Sequence, residues 1–268
     1  MYGALIGDMI GSRFEFTQLP IRYEFELLNR KCRFTDDTVM SIAVAEALLE
    51  TEGKDDETVR KALVSSMQKW GRKYPNAGYG GNFYDWIFAK DPKPYNSYGN
   101  GSAMRVSSAA WLNDSLDDVL HDAKLSAEVT HNHPEGIKGA EAIAAAIYLA
   151  GQKSSKEEIR DYCEKQFGYD LSVSYDSLKK AHIRSAVCQD TVPEAIIAFL
   201  EGERFEDVIR KAVVLGGDTD TIAAMAGSIA EAYYGIDEEL KERCVERLPE
   251  EMKAVLAEFD RKVLSRKR

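Results

Sequence analysis

Apolar residues in this chain fall almost everywhere at helical spacing. In residues 38–49, TVMSIAVAEALL, the side chains of Val39, Ile42, Ala43, Ala45 and Leu49 follow steps of three and four, as one face of an α-helix requires. Residues 134–150 open on Pro134, which suits a first helical position, and stop before Gly151. Residues 221–234, TIAAMAGSIAEAYY, are alanine-rich, mostly apolar and again closed by a glycine, Gly235. Amphipathic helices are further predicted at 56–70, 115–129, 155–166, 174–187, 192–200, 204–214, 238–247 and 249–264. A first helix carries Gly3, Gly7 and Gly11 at every fourth position, which lets another backbone approach closely. It is too short and polar to span a bilayer and reads as a buried core helix. Strand signals are weak, and only residues 19–33 suit a short strand or loop. With no internal repeat or linker, a single all-α domain over residues 1–268 is expected.

One segment breaks this rhythm. Residues 74–103 concentrate glycine, asparagine, proline and tyrosine. A long irregular stretch inside a compact domain is either functional or disordered. Tyr74, Tyr79, Phe83, Tyr84, Trp86, Tyr95 and Tyr98 make this one too aromatic for a disordered linker. It reads as an ordered substrate loop.

Composition narrows the function classes. A chain of 268 residues, 44% hydrophobic and 30% charged, has the make-up of a soluble globular enzyme. The net charge of −10 argues against general nucleic-acid binding, though not against a small basic pocket for a diphosphate. The basic tail, Arg261, Lys262, Arg266, Lys267 and Arg268, reads as a solvated helix end. Cys32, Cys163, Cys188 and Cys244 form no short pair and read as buried free thiols. Neither a signal peptide nor a membrane-length apolar run is evident, so a cytoplasmic protein without membrane attachment is expected, monomeric by default.

The candidate chemistry lies in two acidic motifs, Thr35-Asp36-Asp37-Thr38 and Asp218-Thr219-Asp220-Thr221, each preceding an apolar helix. Capping is the plain explanation, since Asp and Thr satisfy free N–H groups at helix starts. One such residue suffices for a cap, and each motif supplies two carboxylates. Clustered carboxylates repel unless a cation lies between them or one is protonated. If the two helix starts converge, the result is an all-oxygen site suited to Mg²⁺ or Mn²⁺. Asp8 reads as a buried hydrogen-bonding tie between helices. Glu15, seven residues on and on the same face if the helix runs that far, reads as a site residue.

The segment Ser97-Tyr98-Gly99-Asn100-Gly101-Ser102-Ala103-Met104-Arg105 leads into a helix and suits phosphate and sugar contacts, with Tyr98 offering a stacking face. It lacks the ending of a Walker loop. His131 and His133 read as phosphate-binding or capping residues, and His121 and His182 as surface or structural ones. No Gly-x-Ser-x-Gly nucleophile motif is present.

Taken together, GALIGDMIGSRFE, FTDDT, SYGNGSAMR, THNHPEG and GGDTDT resemble the ADP-ribosyl-acceptor hydrolase family, in the family's order and over nearly the whole chain. The resemblance implies an orthogonal multi-helix fold with two Mg²⁺ or Mn²⁺ ions at its centre. It implies Thr35, Asp36, Asp37, Asp218, Asp220 and Thr221 as metal ligands, with Glu15 contributing to the metal site. Ser97, Tyr98, Gly99, Asn100 and Gly101 correspond to the loop holding the diphosphate and adenosine, Ser102 offers a further hydroxyl, and His131 stands near phosphate or ribose. The implied reaction releases ADP-ribose from a modified protein side chain or small conjugate. Glu15 or one of Asp36, Asp37 and Asp218 acts as base. A two-metal phosphoesterase and a non-catalytic ADP-ribose-binding protein are the rival expectations. The acceptor stays open among arginine, serine, an acetyl ester and a nucleobase, with the motif wording closer to the branch acting on O-linked ADP-ribose.

Overall fold

The computed structural model describes residues 1–17 and 20–266. Among these residues fifteen helices follow one another: α1 (Tyr2–Gly11), α2 (Asp36–Glu50), α3 (Asp56–Lys73), α4 (Gly81–Phe88) and α5 (Gly101–Met104). Next come α6 (Ser107–Trp111), α7 (Leu116–Glu128), α8 (Pro134–Gly151), α9 (Lys156–Phe167) and α10 (Tyr175–Ala181). The chain closes with α11 (Cys188–Glu201), α12 (Phe205–Leu215), α13 (Thr219–Tyr234), α14 (Glu238–Val245) and α15 (Glu250–Arg266). Among the described residues there is no strand, only an isolated bridge between Gly99 and Val187. None of the helices is long and apolar enough to cross a membrane.

Helix starts follow local chemistry. Asp55, Ser115, Ser174 and Asp237 accept a backbone N–H at the starts of α3, α7, α10 and α14, and Ser155 and Glu158 form a reciprocal capping box at α9. The centre is set by glycine. Gly3, Gly7 and Gly11 lie against the backbone at Gly227, Ala223 and Thr219 in turn, so α1 and α13 run antiparallel in direct backbone contact. A Cβ on Gly7 would stand 2.1 Å from the Ala223 carbonyl oxygen. This contact places the end of α1 beside the start of α13. All of α1 is buried, and one continuous hydrophobic core includes side chains from α1, α2, α8, α11, α12 and α13.

Four expectations need correction. The first helix stops at Gly11, so Glu15 sits on the following turn and shares no helix face with Asp8. Residues 74–103 include α4, whose Phe83, Trp86 and Ile87 are buried. The helix expected at 174–187 ends at Ala181, because tertiary bonds claim the chain beyond it. Asn100 N–H donates to Ala186 O at 3.0 Å, and His182 Nδ1 lies 2.7 Å from Glu194 Oε1. The helix expected at 192–200 begins at Cys188, ahead of Pro193. Within 19–33 the described residues form no strand, Leu19 lying outside them, as do Lys267 and Arg268 of the basic tail.

Candidate metal centre and active-site cleft

The starts of α2 and α13 converge, bringing together acids nearly two hundred residues apart. Thr221 Oγ1 donates to Asp37 Oδ2 at 3.2 Å across the junction. Oxygens of Asp8, Asp37 and Asp220 lie within 4.8 Å of one another, as do those of Glu15, Asp218 and Asp220. Asp220 belongs to both groups. Asp8 is occupied: Thr35 and Thr38 each donate a backbone N–H and a hydroxyl to its carboxylate, at 2.5–3.1 Å. It ties α1 to α2, as expected from the sequence.

The acids are not there as caps. Neither Thr35 nor Asp218, at the two cap positions, makes a side-chain capping bond. Asp37 Oδ1 is buried without a hydrogen-bond partner among the described residues. Crowding shows in the acid–base properties. Burial first, and then the Asp8 charge, push the Asp36 carboxyl up to about 8. The same causes, joined by Asp220, hold Asp37 well above the usual carboxylate range. Asp220 is raised by burial and by Asp218. Glu15 is raised by burial and Asp218, with Arg184 and Arg33 opposing. An orphaned buried carboxylate oxygen and acids driven toward protonation fit a hard divalent cation in an all-oxygen site. Sulfur or imidazole ligands for a softer metal are absent from both groups.

A cleft of about 630 Å³ opens over this cluster. Glu15, Thr35, Asp36, Asp37, Asp218, Asp220 and Thr221 line it, and so do Ser97, Gly99, Asn100, Gly101 and His131. Asn100 connects the two sets, its Nδ2 donating to Asp218 Oδ2 at 2.7 Å. The glycine loop is pinned by the 186–188 segment: Ala186 O accepts from Asn100 N–H, and Cys188 N–H donates to Tyr98 O. Beneath the loop lies His131, whose Nε2 is 3.1 Å from where a Gly101 Cβ would stand. Burial and then the Arg105 charge drive its imidazole well below the usual histidine range, so the ring is neutral.

The ADP-ribosylglycohydrolase family model matches residues 1–268. The chain belongs to this family. It is 30% identical to human ADP-ribosylhydrolase ARH3, over 88% of this chain and 84% of that one. It is 26% identical to the ADP-ribosylarginine hydrolase Tri1 of Pseudomonas putida, over 88% of this chain and 70% of that one. A solved structure described as an ADP-ribosylglycohydrolase-related protein complex superposes with a TM-score of 0.70 at 27% identity, covering 97% of this chain and 95% of that one. The protein is an enzyme of the class that gives the family its name, an ADP-ribosylglycohydrolase.

Of the residues the sequence nominated in this ADP-ribosylglycohydrolase, two stand apart from the cleft. Ser102 is fully buried and its hydroxyl donates to Gly136 O at 2.7 Å, so it fastens α5 to α8 and offers the cleft nothing. Tyr98 is 48% exposed and packs edge-on against the His133 ring, outside the cleft lining. Conversely, Arg33, Arg105 and Arg184 line the cleft and were missed. Arg184 was hidden by the helix expected there. Arg105 had a visible signal, a lone cation in the apolar run GSAMRVSSAA.

Proposed function

We propose that this enzyme hydrolyses the glycosidic bond between the distal ribose of ADP-ribose and an acceptor, releasing free ADP-ribose. The observation that carries the proposal is the pair of carboxylate groups sharing Asp220 at one part of a cleft whose other part is the glycine loop and His131. Thr35, Asp36, Asp37, Asp218, Asp220, Thr221 and Glu15 would hold two Mg²⁺ or Mn²⁺ ions. When bound, these ions supply a Lewis-acid clamp on sugar hydroxyls and lower the pKa of coordinated water. Glu15 is the group assigned to orient the attacking water and accept its proton. Glu15 stands on a turn that lines the cleft, with its carboxyl raised by burial and Asp218, whereas Asp37 is engaged by Thr221 and Asp218 by Asn100; Asp36, also raised, is the alternative base. Flanking carboxylates stabilise the oxocarbenium-like charge that develops at the anomeric carbon. Ser97, Gly99, Asn100, Gly101 and His131 hold the diphosphate-bearing remainder.

The cleft mouth favours a neutral, oxygen-linked acceptor. Arg184 lies 3.9 Å from Glu15, and Arg33 acts on the same carboxyl. Two guanidinium groups there disfavour a third on the acceptor. The deciding assay follows products from serine-, acetyl- and arginine-linked ADP-ribose, with Mg²⁺ and with chelator. Metal-dependent release of ADP-ribose from the oxygen-linked conjugates is expected. Release of AMP would assign the site to phosphoester chemistry instead, and binding without turnover would make the protein a reader of ADP-ribose.

A further inference from the structure

Arg105 is 1% exposed, and among the described residues no carboxylate pairs with it. Its Nη2 donates to Ser126 O and to Thr130 Oγ1, both at 2.8 Å. Its Nε is buried without a partner, and its guanidinium lies 5.6 Å from the Phe83 ring centroid. A buried cation with no counter-charge is costly unless something else supplies the charge. Arg105 lines the cleft, and the cleft is where an anion could reach it.

The bond to Thr130 has a second consequence. A guanidinium can only donate, so the Thr130 oxygen must accept from it. The hydroxyl hydrogen is left to choose between two acceptors. Ala127 O is 3.4 Å away, at the edge of a useful hydrogen bond, and His131 Nδ1 is 2.6 Å away. The closer acceptor takes it. A proton on Nδ1 would instead face a hydroxyl oxygen already polarised by a cation and leave the threonine hydrogen on the poor carbonyl contact. With Nδ1 accepting, the neutral ring carries its proton on Nε2, the atom that faces Gly99 and Gly101.

We propose that Arg105 and Thr130 are positioning residues that fix His131 as the neutral tautomer protonated at Nε2, a hydrogen-bond donor aimed at an anionic ligand oxygen over Gly99 and Gly101. Glycine at these two positions leaves room for that oxygen. The chain of bonds runs from Arg105 through Thr130 to His131, and the uncompensated guanidinium adds its charge to the same end of the cleft. The identity of the anion, a diphosphate, rests on the function proposed above. The tautomer does not.

The test is ¹⁵N nuclear magnetic resonance of histidine-labelled full-length protein, with the His131 signals assigned by their loss in His131→Asn. Wild-type protein is expected to show a protonated Nε2 and a bare Nδ1 between pH 6 and 8. In Thr130→Val an Nδ1-protonated population should appear, with ADP-ribose affinity about tenfold lower, as for loss of a charge-assisted hydrogen bond. Thr130→Ser should restore both, and in turnover assays KM should move more than kcat. A protonated Nδ1 in the wild type overturns the proposal. So does a folded Thr130→Val protein with unchanged tautomer and affinity. The wild-type spectrum decides the tautomer even if Thr130→Val does not fold. A bare Nδ1 in a wild-type protein that fails to bind ADP-ribose would uphold the tautomer and overturn the ligand.

Discussion

Asn100 Nδ2 donates to Asp218 Oδ2 at 2.7 Å, so one side chain from the glycine loop holds a carboxylate of the candidate metal centre. This bond couples two functions that lie far apart in the chain. In the proposed function, the loop that would receive one end of the ligand also sets the orientation of an acid that would act on the other. Asn100→Ala should therefore weaken Mg²⁺ binding about tenfold, as expected when a group orienting a metal ligand is lost. Titration calorimetry checks this, and unchanged metal affinity would confine Asn100 to the ligand.

Asp37→Asn should separate function from folding. Asp37 Oδ1 has no partner, and its carboxyl is raised well above the usual range by burial and by Asp8. Substitution should reduce turnover about 100-fold or more. In chelator, however, the variant should melt about 2–5 °C above the wild type, because a buried charge conflict has been removed. A lower melting temperature in chelator would show that the carboxylate stabilises the metal-free fold.

The same crowding gives a pH dependence. Asp36 has a folded pKa of about 8, above the unfolded value of about 3.9. A raised carboxyl contributes stability that is complete below the unfolded pKa and is lost as pH rises through the folded one. The metal-free protein should therefore lose thermal stability steadily from about pH 4 to pH 8 on account of this cluster. Saturating Mg²⁺ should flatten that slope, and binding at pH 7 should release protons, read by calorimetry in buffers of differing ionisation enthalpy. A slope that persists with Mg²⁺ would place its origin elsewhere.

The glycine contact between α1 and α13 should show a gradient along its length. Gly7→Ala forces a Cβ into the Ala223 carbonyl and should cost about 1–3 kcal/mol, or roughly 2–5 °C in melting temperature. Gly11→Ala meets the backbone at Asp220, with its Cβ 2.5 Å from Asp220 Cα. It should lower metal affinity as well as stability. Gly3→Ala, at the far end against Gly227, should affect stability alone. Equal effects on metal affinity at all three positions would refute the gradient.

The sequence by itself determined the all-helical architecture. Apolar spacing, caps and glycine stops are local, and they marked most helices to within a few residues. It also nominated the acids, because two carboxylates beside a helix start exceed what a cap needs. What it could not supply was whether 35–38 and 218–221 meet. That depends on α1 lying antiparallel against α13, a packing permitted by Gly3, Gly7 and Gly11 but not specified by them. The end of α10 at Ala181 was likewise decided by tertiary bonds to Asn100 and Glu194, which no local pattern encodes. Ser102 and Tyr98 show the same limit, since a loop's sequence lists its side chains without saying which face the cleft. Arg105 was legible as an anomaly, but its meaning required Thr130 and His131, brought within hydrogen-bonding distance only when α5 and the end of α7 pack together.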